Sequence, residues 1–483
     1  MGLKARILSS KIPKALRVIS KARSSKWFII TAVSIAIFTD TFLYGVIVPV
    51  LPFALTERAG IAADRVQFWT SIMLAAYSAS LVVAAPISGY FADHSRSRQS
   101  PFLLGLLALS GGTVMLCVGK NIGILVAARV LQGFSSGLVW SVGLALLIDT
   151  VGSDQIGQAM GYVGIGINLG VLLSPLLGGL VFDRKGYYSV FAMAFGLIAL
   201  DIILRLAIVE RKPAVQASGL QEDTQSILTS NDNRESQRVS IENRHEGDIR
   251  QNNPTSKRRV PAAFRLLSSK RFAVAIFVSL VQAALTSSFD TILPLFVRDT
   301  FGWDATGAGL IFLPIAIPAV VSPVAGWISD RYGTRWLAAI SLLLVCPFLV
   351  CLRYVTHNTI SQKILLVGLL FGTGLCLNVI LAPAMAEIAY VIEAKEKKTP
   401  GIFGPSGAYA QAYGLSCLAF AAGGVVGSIW AGMIVDRSGW STVTWTLGLL
   451  SAVTVIPVVF WMGGRLRMGV RREGDEEAIE QTS

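Results

Sequence analysis

Ionisable side chains stand within several long apolar runs, where each is costly and marks a functional position by default. Asp40 lies among Thr39, Thr41 and Tyr44, Asp290 precedes Thr291, and Arg129 opens the segment Arg129-Val-Leu-Gln132-Gly133. A carboxylate withdrawn from water favours its neutral form, and a nearby cation restores the charged one. One such group can therefore trade a proton for the charge of a bound molecule. That chemistry is expected of Asp40, with Asp290 as its partner across a cavity; a hydrogen-bonded packing aspartate is the competing reading. Arg129 cannot shed its charge, and its plain reading is an ion pair to a cavity carboxylate. Glu387, near the end of its own run, ranks below the two aspartates. Asp201 and Arg205 are four residues apart, so they face each other on one helix and neutralise one another.

A second set of residues sits where apolar runs end or must touch. Gly89, Asp93 and Arg98 follow the second run, and Gly326, Asp330, Arg331, Gly333 and Arg335 follow the eighth. Charges at helix ends interact with the helix dipole, so these form a latch that one conformer makes and another breaks. Solvated charge that merely sets topology is the bland alternative. Gly161, Gly170, Pro175, Gly178 and Gly179 in one run, and Gly414, Gly423 and Gly427 in another, let helix backbones approach closely. Trp69, Tyr77, Trp140, Asn168, Asn378, Tyr409, Gln411 and Tyr413 offer aromatic faces and a few hydrogen-bonding groups, a lining suited to a hydrophobic or amphipathic organic molecule. Aromatic residues also populate membrane interfaces.

The elements that carry these residues follow from composition. Of 483 residues, 53% are hydrophobic and only 15% charged, with a mean hydropathy of +0.61. Charges gather between apolar runs of about 20 residues, the length that crosses a bilayer. Twelve spans result: 27–50, 68–92, 101–119, 122–147, 157–182 and 188–209, then 272–297, 307–329, 335–355, 361–392, 405–434 and 441–463. The expected fold is an all-α membrane protein of two pseudo-symmetric six-helix bundles, 27–209 and 272–463. Residues 1–26 form a basic tail, 464–483 a second tail, and 210–271 a polar linker too poor in apolar residues to fold. Lys and Arg concentrate in the two tails, the linker and the loops after the second, eighth and tenth spans, which places both termini in the cytoplasm. The net charge of +13 therefore has a topological cause, and nucleic acid is not an expected partner. A transit peptide is the competing reading of the basic start. All five cysteines fall in apolar stretches without metal-binding spacing, so packing is their expected role.

The halves also repeat one another. Gly170, Ser174-Pro175 and Gly178-Gly179 are matched by Gly423, Gly427-Ser428 and Ala431-Gly432. Asp183-Arg-Lys-Gly186-Tyr187 is matched by Asp436-Arg-Ser-Gly439-Trp440, and Asp40-Thr41 by Asp290-Thr291. Parallel repeats joined by a linker imply two bundles with a central cavity.

These motifs resemble the major facilitator superfamily. Its Gly-x-x-x-Asp-x-x-Gly-x-Arg/Lys loop signature is complete at Gly326, Asp330, Gly333 and Arg335; the earlier copy keeps Gly89, Asp93 and Arg98 but has Arg96 at a glycine position. Arg129 with Gln132 and Gly133 resembles the fourth-span signature, which implies a role for Arg129 in proton transfer. The fifth-span glycines are similar to the signature of proton-coupled exporters. The first, fourth and fifth spans are also similar to vesicular monoamine transporters and their fungal and bacterial relatives, in which carboxylates matching Asp40 and Asp290 serve the cation and proton pathway. Tyr77 stands where those proteins have a lysine, and Leu381 and Tyr413 where they have aspartates.

The resulting expectation is a secondary exporter that exchanges a lipophilic or cationic small organic molecule for protons, acting as a monomer in the lipid bilayer without cofactor or metal. The plasma membrane is the expected site, with a vacuolar or vesicular membrane as alternative. A facilitator or proton-coupled importer of a nutrient is the second reading, and a transporter-like sensor using the linker is the third. No nucleotide loop, metal cluster or nucleophile–base arrangement suggests an enzyme, and ATP is excluded as the direct energy source.

Overall fold

The computed structural model describes residues 25–94, 99–151, 156–207, 266–399 and 409–463. The basic tail up to residue 24, linker residues 208–265 and the C-terminal tail lie outside the described residues. Within them the chain is helical: α1 (Lys26–Val46), α2 (Leu51–Glu57), α3 (Val66–His94), α4 (Gln99–Val118), α5 (Ile122–Val151), α6 (Ile156–Lys185) and α7 (Tyr187–Ala207), then α8 (Lys270–Phe301), α9 (Ala305–Leu310), α10 (Leu313–Ala316), α11 (Ser322–Tyr332), α12 (Thr334–Cys351), α13 (Ile360–Lys398) and α14 (Tyr409–Trp461). Eleven stretches of these are long and apolar enough to cross a membrane. The last, α14, is two helices in series, because Gly439 has φ 77° and ψ 177°. Its counterpart in the repeat, Gly186, has φ 80° and separates α6 from α7. A side chain disfavours that backbone conformation, so matching glycines end the fifth and eleventh spans and start the next. Twelve crossings follow.

Helix starts are capped where the sequence supplies a short polar residue. Ser25 accepts a hydrogen bond from the Phe28 amide at 3.2 Å, and Asp304 one from Gly307 at 2.8 Å, each satisfying an orphan donor of a first turn. The eighth span departs from the expected continuous helix. It runs as α9, α10, a 3-10 turn over Ile317–Val321, and α11, with Pro314, Pro318 and Pro323 each lacking an amide donor.

The chain divides into two compact units. One comprises residues up to Ala262 together with Asp290–Leu313; the other comprises Ala263–Phe289 and Pro314 onward. One boundary falls inside α8, a second at the break in the eighth span, and the third outside the described residues.

In the first unit α3 and α4 both pack along α5, and α1 lies along α6. Ile29, Val33, Ala36 and Ile37 of α1 meet Phe102 of α4 and Val139, Val142 and Leu146 of α5 in a shared core. Glycines set the closeness of the α1–α6 seam. A Cβ on Gly178 would collide with the Val46 carbonyl, and one on Gly170 would stand 2.9 Å from Thr41 Cβ. Gly179 and Gly309 bring α6 equally close to α9, against the backbones of Ala305 and Pro175.

In the second unit α12 packs on α13 and α14, and the seam recurs between α14 and α8. Gly423 abuts the Leu280 carbonyl and Gly427 that of Ala284. Two expected seam positions differ. Gly414 would meet nothing within 4 Å, because it lies short of the closest approach, and Gly161 lies where side-chain surroundings are not described.

The seams also fix the register of the repeat. Gly170 abuts the Phe38 carbonyl and Thr41, while Gly423 abuts the Leu280 carbonyl and Ala283. Phe38 and Thr41 are thus equivalent to Leu280 and Ala283, and Asp40 is equivalent to Gln282. The match of Asp40-Thr41 to Asp290-Thr291 is corrected accordingly. Asp290 lies about two turns further along its helix.

Candidate functional site

The first unit holds a buried polar core built on α1 and α5. Along α5, Arg129, Ser136 and Trp140 recur at spacings that keep them on one helical face. Asp40 of α1 docks against the later two. Its Oδ2 accepts hydrogen bonds from Ser136 Oγ at 2.7 Å and Trp140 Nε1 at 3.1 Å. The carboxylate is 2% exposed, and its Oδ1 has no hydrogen-bond partner among the described residues.

One turn along α1, Tyr44 donates to Asp290 Oδ2 at 3.1 Å. Its ring stacks on Tyr77 of α3 with centroids 4.8 Å apart, and the Arg129 guanidinium lies 5.6 Å from the centre of each ring. Arg129 is fully buried. Its Nη1 donates to Gln132 Oε1 at 3.1 Å, and Gln132 in turn donates to Thr113 at 3.2 Å. Nε and Nη2 have no hydrogen-bond partner among the described residues. The Tyr77 hydroxyl interacts with Asp40 and Ser136 by hydrogen bonding and lies within electrostatic reach of Arg129. The helix bearing Asp290 is held by Gln67, whose amide donates to the Thr291 carbonyl at 3.2 Å.

Asp40, Asp290, Arg129, Tyr77 and Trp140 thus come together in one cluster. Asp290 faces Tyr44 and stands in the same compact unit as Asp40. Sequence reasoning missed Ser136 and Gln67. The signal for Ser136 was available: it is seven residues from Arg129 and four from Trp140, on the same face of α5.

Asp201 and Arg205 form the expected pair, and it is fully buried. Arg205 Nε and Nη2 meet the two carboxylate oxygens at 2.9 and 2.6 Å, Nη1 donates to the Phe102 carbonyl at 2.7 Å, and the guanidinium lies 3.9 Å over the Phe102 ring. Every charge here has a partner, so the pair fastens α7 to α4.

Glu387 stands apart from the cluster, in the second unit. Its Oε1 accepts from Arg271 Nε at 2.7 Å and from the Gly463 amide at 3.0 Å, and its Oε2 from Thr334 Oγ1 at 2.6 Å. It collects the start of α8, the start of α12 and the end of α14 on one carboxylate. Arg335 belongs to the same knot, with Nε donating to the Met462 carbonyl at 2.5 Å. Arg331 is exposed and covers Trp327 and Tyr332 at 5.5 and 5.9 Å. Gly333, with φ 89°, makes the break between α11 and α12, while Gly326 has open space around it. Arg98 lies outside the described residues. So do the side-chain surroundings of Gly89, Asp93 and Asp330.

Among the expected lining residues, Asn378 is committed to structure. Its amide donates to the carbonyls of Ile315 at 3.2 Å and Gly374 at 2.8 Å, bracing the broken span. Asn168 is exposed on α6. The side chains of Tyr409 and Tyr413 lie outside the description.

Comparison with known proteins adds to this geometry. A family model described as the Major Facilitator Superfamily matches residues 33–393 and 310–481. An uncharacterised transporter of that type from Schizosaccharomyces pombe is 34% identical over 439 residues, covering 90% of this chain and 95% of the relative. Multidrug resistance protein 1 of Bacillus subtilis is 24% identical, covering 84% and 90% of the two chains. The solved structure of a bacterial homologue of the human lysosomal transporter Spinster, inward-facing and unoccupied, aligns with a TM-score of 0.61 over 90% of this chain and 95% of its own, at 14% identity. That last likeness concerns the fold.

Proposed function

The chain belongs to the Major Facilitator Superfamily, so it is an integral multi-pass membrane transporter and not an enzyme, and we propose that it is a proton-coupled exporter of lipophilic or cationic small organic molecules. The observation that carries this reading is Asp40, a buried carboxylate with one oxygen held by Ser136 and Trp140 and the other without a hydrogen-bond partner among the described residues. A carboxylate so placed can bind a proton or the positive end of a substrate, and competition between the two is what antiport requires. Asp290, held by Tyr44 one turn along, is a second carboxylate for the same exchange. The relative named for multidrug resistance supports export and a broad substrate class. The proton gradient supplies the energy, and the distribution of Lys and Arg supports cytoplasmic termini, with the plasma membrane as the site of action.

The test is flux of ethidium and tetraphenylphosphonium in proteoliposomes with and without an imposed pH gradient. Gradient-driven flux that disappears in Asp40→Asn, with the variant still folded, is the expected result. Flux indifferent to the gradient would make the protein a facilitator, and undiminished flux in Asp40→Asn would return Asp40 to a packing role.

A further inference from the structure

Arg129 is more exactingly placed than a charge-balancing arginine needs to be. It is fully buried, it lies over the paired rings of Tyr44 and Tyr77, and among the described residues only Nη1 has a hydrogen-bond partner, Gln132. The edge formed by Nε and Nη2 has no hydrogen-bond partner among the described residues. Those two N–H groups are parallel and coplanar, the fork that receives both oxygens of a carboxylate. Leaving such donors buried and unmatched is costly, so the arrangement calls for an acceptor that arrives from elsewhere. Asp290, whose charge acts on Arg129, receives the Tyr44 hydroxyl on Oδ2.

The opposite demand exists at Asp40, whose Oδ1 lacks a donor among the described residues. Arg129 and Ser136, which holds Asp40, are seven residues apart on α5, about 10 Å along the helix axis. Tyr77 stands within reach of both charges, with an aromatic face for the stem of a bound molecule. We propose that the Nε–Nη2 edge of Arg129 docks a carboxylate of the transported molecule while Asp40 receives its cationic end, so that the substrate is amphoteric: an ammonium and a carboxylate joined by an apolar, preferably aromatic, spacer. This rests on the exchange role of Asp40 proposed above and narrows the substrate class for that site. An anion alone at Arg129 would face Asp290 nearby, whereas a molecule bringing its own cation offsets that repulsion.

The experiment uses the full chain in lipid nanodiscs and four probes: 4-(2-aminoethyl)benzoic acid, its methyl ester, its N-acetyl derivative and 2-phenylethylamine. Affinities are read by competition with ethidium. The amino acid is expected to bind about tenfold more tightly than its ester, the worth of a charge-assisted pair. In Arg129→Lys, which keeps the charge and loses the fork, that acid-to-ester ratio should fall to about one; in Asp40→Asn the preference for the free amine over the N-acetyl compound should vanish. Equal binding of acid and ester by the wild-type protein, an unchanged ratio in Arg129→Lys, or no binding of the acid would each overturn the proposal and assign the free edge to internal water. The wild-type comparison decides the matter even if Arg129→Lys does not fold. An acid-to-ester preference without gradient-driven flux would sink the antiport reading alone; gradient-driven flux of amines without the preference would sink this one.

Discussion

Two buried arginines in the first unit are treated by their surroundings in opposite ways. Arg205 has a full set of acceptors: two oxygens of Asp201, the Phe102 carbonyl and the face of the Phe102 ring. Arg129 has one. A guanidinium whose partners are complete works as a fastener, and removing half of such a pair strands a charge away from water. Asp201→Asn is therefore expected to destabilise the protein by about 3 kcal/mol, seen as a lower thermal inactivation temperature in detergent. The paired exchange Asp201→Leu with Arg205→Met should recover most of that loss, since apolar residues of similar volume carry no desolvation cost. If the double variant is as unstable as the single one, the pair does more than fasten α7 to α4. The pairing itself was legible from the spacing of four residues. The knot around Glu387 was not: its partners Arg271, Thr334 and Gly463 are distant in sequence, and their meeting depends on how three helix ends are stacked.

At the scale of elements, the apolar runs announced the spans because hydrocarbon thickness sets their length, and the glycine pattern announced which helices touch. Small residues alone could not say which glycines lie at the closest approach. Gly427 faces the Ala284 backbone, whereas Gly414 faces open space. Gly427→Leu is expected to abolish correctly folded protein, read as loss of the monodisperse peak in size-exclusion chromatography. Gly414→Ala should leave expression and flux near wild type, with stability changed by no more than about 1 kcal/mol. A damaging Gly414→Ala would show that this stretch of α14 packs closely in another conformer. The register of the first and seventh spans was misread for a related reason. A two-residue match, Asp-Thr, recurs easily in apolar sequence, while the seam contacts of Gly170 and Gly423 fix Asp40 opposite Gln282. Gln282 keeps the polarity: it is buried, with its Oε1 lacking a hydrogen-bond partner among the described residues, and at this position the charge is confined to one half. The break in the eighth span also escaped the sequence reading, since proline inside a membrane helix is tolerated when neighbours re-satisfy the backbone; Asn378 performs that repair on Ile315.

For the whole molecule, the proposed sidedness rests on where each unit begins and ends and on where Lys and Arg lie. In the second unit Glu387 accepts from both Arg271 and Gly463, so the chain enters α8 and leaves α14 at one end of that unit. In the first, Phe28 at the start of α1 and Leu204 near the end of α7 pack against the same buried cluster, so entry and exit again share an end. The N-terminal tail and the start of the segment 208–265 therefore attach at one end of the first unit, and the close of that segment and the C-terminal tail at one end of the second. Those are the segments richest in Lys and Arg, and the proposed cytoplasmic placement of both termini rests on that. Epitope tags placed before Met1 and after Ser483 should both resist protease added to intact cells and both be cleaved once the membrane is opened. A tag inserted between Gly186 and Tyr187, at the opposite helix ends, should be cleaved from outside. Cleavage of either terminal tag in intact cells would reverse the orientation, and with it the direction in which proton entry drives the substrate.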